Sequence, residues 1–215
     1  MTLAKKAAAL GTLLIALLSS GCTQTAEPDT EELPKLSIGT DTYAPYSYTD
    51  ENGEFAGIDI ALAEEACRRI GYTPVFSHIV WDEKDALLEN GSLDCLWSCF
   101  SMNDREDLYT WAGPYMNSRH VVAVYEDSEI SSLAELEGCR VGVQSSTKPE
   151  TLFLKKLNGL PEISGLFCFT QNSNVVAALQ NDYVDAIAGP EAVLADYFSQ
   201  TTGEFRILDE ALQES

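Results

Sequence analysis

Apolar positions along the chain follow two spacings, one typical of short buried strands and one typical of amphipathic helices. The segment 58–70 places apolar side chains every three or four residues, which predicts a helix with one buried face. Short apolar runs at 36–40 and 73–79 flank this segment and predict strands. The order strand, helix, strand is that of a βαβ unit, so the pattern indicates an α/β fold.

The same order returns in the second half of the chain. Two capping-box sequences, 132–135 (SLAE) and 147–150 (TKPE), predict the starts of two helices. The predicted strands of this half are 121–125, 140–143, 167–170 and 186–188. Two similar runs of elements predict two lobes with mixed, mostly parallel sheets: lobe one at 36–118 and lobe two at 119–204. Residues 205–215 are then expected to return towards lobe one.

The N-terminal segment has the pattern of an export signal. A pair of lysines precedes the apolar run 7–18, which is too short to span a bilayer. The small residues and cysteine at 19–22 (SSGC) resemble a bacterial lipoprotein signal, which implies cleavage of 1–21 and lipidation of Cys22. An ordinary secretory signal is the alternative. Residues 22–35 are polar and acidic, which predicts a flexible tether.

Composition excludes several classes of function. The chain has 13 Lys and Arg against 34 Asp and Glu, a formal net charge of −21. A surface this acidic repels phosphate backbones and argues against binding of nucleic acid. Two histidines, and five cysteines after Cys22 without zinc-site spacing, indicate no metal site. The odd number of these cysteines leaves any disulfide pairing open.

Four sequence motifs occur in the order found in one protein family. They are 41–46 (DTYAPY), 53–63 (GEFAGIDIALA), 103–115 (beginning NDR and ending WAGPY) and 136–144 (LEGCRVGVQ). Together they resemble the bacterial extracellular solute-binding proteins of family 3, the polar amino acid receptors of ABC importers. The resemblance implies the two-lobed periplasmic-binding-protein-like type II fold, with ligand held in the cleft between the lobes.

The resemblance also implies a function and a location. It implies a lipid-anchored receptor on the outer face of the cell membrane, a monomer that binds an amino acid or related small carboxylate and delivers it to an ABC permease. It implies neither enzymatic activity nor a cofactor. The ligand-sensing domain of a membrane signalling receptor is the alternative. Family members continue beyond the segment 205–208, so the C-terminal part of lobe one is expected to be missing from this chain.

The resemblance assigns ligand contacts residue by residue. Arg105 corresponds to the arginine that holds the ligand's α-carboxylate, which a guanidinium can grip with two parallel hydrogen bonds. Lys148 either faces a ligand carboxylate or lies in solvent. The remaining implied contacts, which include an aromatic wall and an acidic group near the ligand's side chain, are Asp41, Tyr43, Ser98, Cys99, Phe100, Ser101 and Thr147.

One position departs from the family pattern. Pro190 stands where the family commonly has the Asp that binds the ligand's α-ammonium, and Glu191 follows it. Either Glu191 replaces that carboxylate, or the ligand is not an ordinary α-amino acid. Because Lys148 also replaces a usual Thr, the two changes favour ligands with an extra carboxylate over Lys or Arg.

Overall fold

The computed structural model describes residues 32–214. The predicted signal at 1–21, the lipidation site Cys22 and most of the predicted tether lie outside the described residues. Within residues 32–214, no helix has the length and apolar character needed to cross a membrane.

The described chain alternates short strands and helices. The strands are β1 (Lys35–Thr40), β2 (Tyr48–Thr49), β3 (Phe55–Ala56), β4 (Thr73–His78), β5 (Cys95–Leu96), β6 (Arg119–Tyr125), β7 (Arg140–Gln144), β8 (Gly165–Phe169), β9 (Ala186–Pro190) and β10 (Phe205–Glu214). The helices are α1 (Ile58–Ile70), α2 (Lys84–Glu89), α3 (Lys148–Leu154), α4 (Asn172–Gln180) and α5 (Glu191–Gln200). Short 3₁₀ turns occupy Trp81–Glu83, Leu133–Leu136 and Leu157–Gly159.

The first sheet is small and parallel. Its strand order is β4-β1-β5, and β1 pairs in parallel with both neighbours. Helix α1 covers the sheet through a buried cluster of Ile38, Ala63 and Cys67. The predicted helix 58–70 is confirmed at both ends, and Gly71 ends it in the left-handed conformation that glycine adopts without strain.

The second sheet has five strands in the order β10-β6-β9-β7-β8. Strand β7 runs parallel to β8 and β9, whereas β6 runs antiparallel to β9 and β10. Alternate residues of β6 point to opposite faces, so Val122 joins one buried cluster and Val121 the other. The first cluster includes side chains of α3 and the second includes side chains of α4 and α5, so both faces of the sheet are covered.

The predicted α/β fold is confirmed, three local predictions need correction, and one strand was missed. The apolar run 93–98, whose pattern predicts a longer strand, forms only β5. The segment 82–89, whose pattern predicts a helix, begins as a 3₁₀ turn. Strand β10, which was not predicted, pairs with β6 in the second sheet. The capping box at 132–135 is present. At 147–150 it is absent: the Thr147 hydroxyl donates to the Gln144 carbonyl at 2.6 Å, and the Glu150 carboxylate accepts from the Ser146 N–H at 2.7 Å. The lobe boundaries at residues 118 and 204 remain a prediction.

Candidate functional site

One cavity collects residues from the ends of several strands in both sheets. Asp41 directly follows β1, the segment 98–101 follows β5, and Thr147 and Lys148 follow β7. The carboxyl ends of parallel strands are where α/β folds usually bind ligands. The cavity measures about 30 Å³, roughly the room for one or two water molecules. An amino acid is larger, so binding one requires the walls to move apart.

Nine of the ten ligand contacts expected from the sequence line this cavity. The side of the cavity nearest β1 and β5 carries Asp41, Tyr43, Ser98, Cys99, Phe100 and Ser101. The other three are Arg105, Thr147 and Lys148. Their role in binding a ligand remains a prediction, but the fold brings them to one place.

Arg105 lies on an aromatic platform. Its guanidinium carbon is 4.9 Å from the centre of the Phe100 ring, and Nη1 donates to the Ser101 carbonyl at 3.4 Å. The indole N–H of Trp111 donates to the Arg105 carbonyl at 3.1 Å, which fixes the backbone. Burial lowers the pKa of Arg105. Within residues 32–214 no carboxylate forms an ion pair with this guanidinium, so it is free to bind the carboxylate of a ligand.

Asp41 connects the two sheets across the cavity. Its backbone N–H donates to Ser98 Oγ at 3.1 Å, and its Oδ2 accepts from Gln144 Nε2 at 2.5 Å. Burial raises the pKa of Asp41 to about 6, although the hydrogen bonds from Gln144 and Thr42 oppose this effect. Gln144 therefore fixes one oxygen of a carboxyl group that titrates close to neutral pH.

Lys148 is buried rather than solvated. Its side chain is 2% exposed, and its Nζ donates to the Asn103 carbonyl at 2.9 Å and pairs with the Asp104 carboxylate. The hydrogen bond from Lys148 lowers the pKa of Asp104, whose side chain is 72% exposed. The alternative that this lysine lies in solvent is therefore wrong. The partner charge faces water and the lysine faces the cavity.

Asp59 holds the segment 98–101 in place from helix α1. Its two carboxylate oxygens accept from the Cys99 N–H at 2.7 Å and from the Tyr115 hydroxyl at 2.9 Å. Cys99 has a φ of 44°, an uncommon conformation for a residue with a side chain. The N-cap position of α1 belongs to Gly57, two residues before Asp59. The carboxylate is instead used to position the cavity wall.

Glu191 is the one expected contact that the structure does not bring to this cavity. Its Oε1 accepts from Arg119 Nη1 at 3.3 Å. Both side chains line a second, more open cavity of about 330 Å³. Pro190, at the end of β9, is buried. Nothing in this arrangement places the Glu191 carboxylate beside Arg105.

Three lining residues were missed in the sequence: Trp81, His120 and Gln144. Trp81 packs edge-on against Phe100, with ring centroids 5.1 Å apart. Gln144 ends the last of the four motifs, which could have marked it. His120 is a lone polar residue in the otherwise apolar segment 120–125. Burial, with smaller contributions from Arg105 and Lys148, lowers the pKa of His120 to about 4.

Comparison with known proteins gives consistent matches. The model of the bacterial extracellular solute-binding proteins, family 3, matches residues 36–189. The histidine-binding periplasmic protein of Salmonella typhimurium is 30% identical over 198 residues, which cover 90% of this chain and 73% of that protein. The L-cystine-binding protein TcyA of Bacillus subtilis is 32% identical over 115 residues, which cover 52% of this chain and 42% of that protein.

Solved structures share the arrangement of strands and helices. An ancestral arginine-binding protein bound to glutamine has a TM-score of 0.73 and 27% identity, over 82% of this chain and 78% of that chain. A substrate-binding protein of an ABC uptake transporter from Streptococcus pneumoniae, with bound histidine, has a TM-score of 0.76. The alignment covers 84% of this chain and 76% of that chain, and its 21% identity supports a shared fold alone.

Proposed function

This chain belongs to the bacterial extracellular solute-binding proteins of family 3, and from that membership we propose that it captures an amino acid or a related small carboxylate for an ABC importer. Its fold is the periplasmic-binding-protein-like type II fold expected from the sequence. Members of this family bind solutes and are not enzymes.

The observation that carries the proposal is the guanidinium of Arg105, which lines the cavity and forms no ion pair within residues 32–214. Burial disfavours the charge of this guanidinium, although Asp85 and Asp104 partly offset the effect from a distance, and a ligand carboxylate in direct contact would stabilise it further. An α-carboxylate can pair with the guanidinium through two hydrogen bonds, while the Phe100 ring packs against the guanidinium in a cation–π contact. Ser98, Ser101 and Thr147 supply further hydroxyl groups at the same cavity.

The names of the relatives support the amino acid class. One relative binds histidine and another binds L-cystine, and both ligands carry an α-carboxylate. Tyr43 would form the apolar wall against the ligand's side chain, and Asp41 would lie near its far end. The two lobes proposed at 36–118 and 119–204 would close on this ligand by a hinge motion.

We place the protein outside the cytoplasm, on the outer face of the cell membrane. The support is the Gly21-Cys22 junction, at which the signal would be cleaved and the cysteine lipidated, and the acidic tether that follows. A tethered monomer of this kind could search the space beside an ABC permease and deliver its ligand there.

A thermal-shift screen tests the ligand class. The soluble form, starting after Cys22, would be heated with each of the twenty amino acids and with simple dicarboxylates. A compound that binds only the folded protein raises the melting temperature by mass action, by an amount that grows with concentration above Kd. At least one compound with a free carboxylate should do so, and Arg105→Ala should abolish the shift. A folded protein that responds to none of these compounds would contradict the proposal.

A further inference from the structure

The cavity carries more positive than negative groups. Arg105 and Lys148 both line it, and Asp41 is the single carboxylate among the described residues that do so. Asp104 pairs with Lys148, but its side chain is 72% exposed and is not part of the cavity lining. If the ligand's α-carboxylate binds Arg105, Lys148 remains as a second cation that no ligand group contacts.

His120 adds an imidazole side chain to the lining of the same cavity. It is 6% exposed and lines the cavity, and within residues 32–214 its Nδ1 has no hydrogen-bond partner. Buried polar atoms are rarely left unpaired, and an unpaired one is costly. A ligand group in the cavity can satisfy this nitrogen.

The groups that face His120 come from several elements. Arg105 and Lys148 act on it electrostatically, and Asp41 lies in the same cavity. Its partners on the neighbouring strands, Gln213 and Pro190, carry no charge. The lining residues Tyr43 and Cys99 are neutral near pH 7, since burial raises the pKa of both, for Cys99 to about 12. The local field is therefore set mainly by the two cations.

We infer, resting on the proposed function, that the preferred ligand is an amino acid with an anionic side chain and that His120 donates a hydrogen bond to that second anionic group. The imidazole takes up one proton from solvent when the ligand binds, and no covalent bond changes. Lys148, which lines the same cavity, stabilises the same anionic group.

The proton uptake follows from the charges. Without ligand, the low pKa of His120, about 4, keeps the imidazole neutral. An opposite charge within about 4–6 Å shifts a pKa by roughly 1–3 units towards the charged form. Because the bound protein holds more protons between the two pKa values, affinity falls as pH rises from about 4 to the new pKa and levels off above it. One fully linked proton changes affinity about tenfold per pH unit.

Asp41 titrates in the same range and must be separated from His120. Its pKa of about 6 would also rise beside an anionic ligand, so it too could take up a proton. Asp41→Asn removes this contribution and leaves the imidazole. His120→Gln removes the imidazole and leaves the carboxyl group.

Nuclear magnetic resonance of the unmodified protein gives the first test. The full sequence has two histidines, so His78→Gln assigns both imidazole signals. With saturating L-glutamate or L-aspartate, the pKa of His120 should rise by at least about one unit, and with L-glutamine it should not. An unchanged pKa with either acidic ligand bound overturns the inference. This test does not require a His120 variant to fold.

Calorimetry at pH 5.5 and 7.5, in buffers of different ionisation enthalpy, gives the second test. L-Glutamate or L-aspartate should bind more tightly than L-glutamine or L-arginine, with proton uptake that Asp41→Asn retains and His120→Gln loses.

Equal or better binding of L-arginine, or uptake that survives in His120→Gln, overturns the inference. If L-arginine binds in an Arg105-dependent manner, the proposed function stands and only this inference fails. If no amino acid or dicarboxylate binds, the proposed function itself fails.

Discussion

Replacing Asp59 with alanine should weaken the fold and loosen the cavity wall at the same time. Asp59 is 1% exposed, and its carboxylate accepts hydrogen bonds from the Cys99 N–H and from the Tyr115 hydroxyl. The change to alanine removes both hydrogen bonds. Each hydrogen bond to a charged group contributes about 1.5–3 kcal/mol. Burial raises the pKa of Asp59, which means that burying its charge is itself unfavourable. The two hydrogen bonds together give a range of about 3–6 kcal/mol, and we expect the free energy of unfolding to fall by an amount near the lower end of that range, about 3 kcal/mol.

Urea denaturation and thermal melting measure this loss. For a protein of this size, about 3 kcal/mol corresponds to roughly 6–12 °C in Tm. Tyr115→Phe removes one of the two hydrogen bonds and should cost about 1–2 kcal/mol. The double variant should cost less than the sum, because the two residues share that bond. Glu51→Ala, at an exposed position away from the cavity, is the control. An Asp59→Ala variant within about 1 kcal/mol of the parent would refute the reasoning.

Three further outcomes are expected. The pKa of Asp41 is raised to about 6 in the folded protein, so the parent loses stability as pH rises from 4 to 6.5. Asp41→Asn does not titrate, so its stability relative to the parent should increase over the same pH range. Thermal melts of both proteins at several pH values measure this difference. Lys148→Met should weaken acidic ligands at least tenfold, whereas Lys156→Met, which breaks an exposed pair with Glu162, should leave their calorimetric affinity unchanged. Cys22→Ala should release the protein from bacterial membranes or block its maturation, and equal membrane association by fractionation would contradict lipidation.

The sequence predicted the elements whose signals are local. Periodicity located the helix 58–70 at both ends, because an amphipathic face and a following glycine act over a few residues. The pattern at 132–135 gave a true capping box, while the similar pattern at 147–150 did not. There, the Thr147 hydroxyl found the Gln144 carbonyl, a partner that depends on how the chain leaves β7.

Residues within a family motif could be predicted to line the cavity. Residues whose side-chain direction depends on tertiary contacts could not. Arg105 and the segment 98–101 line the cavity as the motifs implied. Glu191 follows a buried strand end, and whether its side chain turns towards the cavity or towards Arg119 depends on a partner 72 positions away in sequence. His120 was hidden because a single polar residue in an apolar strand gives no indication of which cavity its side chain enters.

Calorimetric titration of Arg105→Ala with the ligand from the thermal screen tests the central claim most directly. Arg119→Ala is the matched control, since Arg119 pairs with Glu191 and lines the other cavity. Truncating one partner of a buried charge pair costs about 2–5 kcal/mol, so Arg105→Ala should bind at least roughly thirtyfold more weakly. Arg119→Ala should bind within about threefold of the parent. A folded Arg105→Ala variant with undiminished affinity would contradict the claim that this guanidinium holds the ligand's carboxylate.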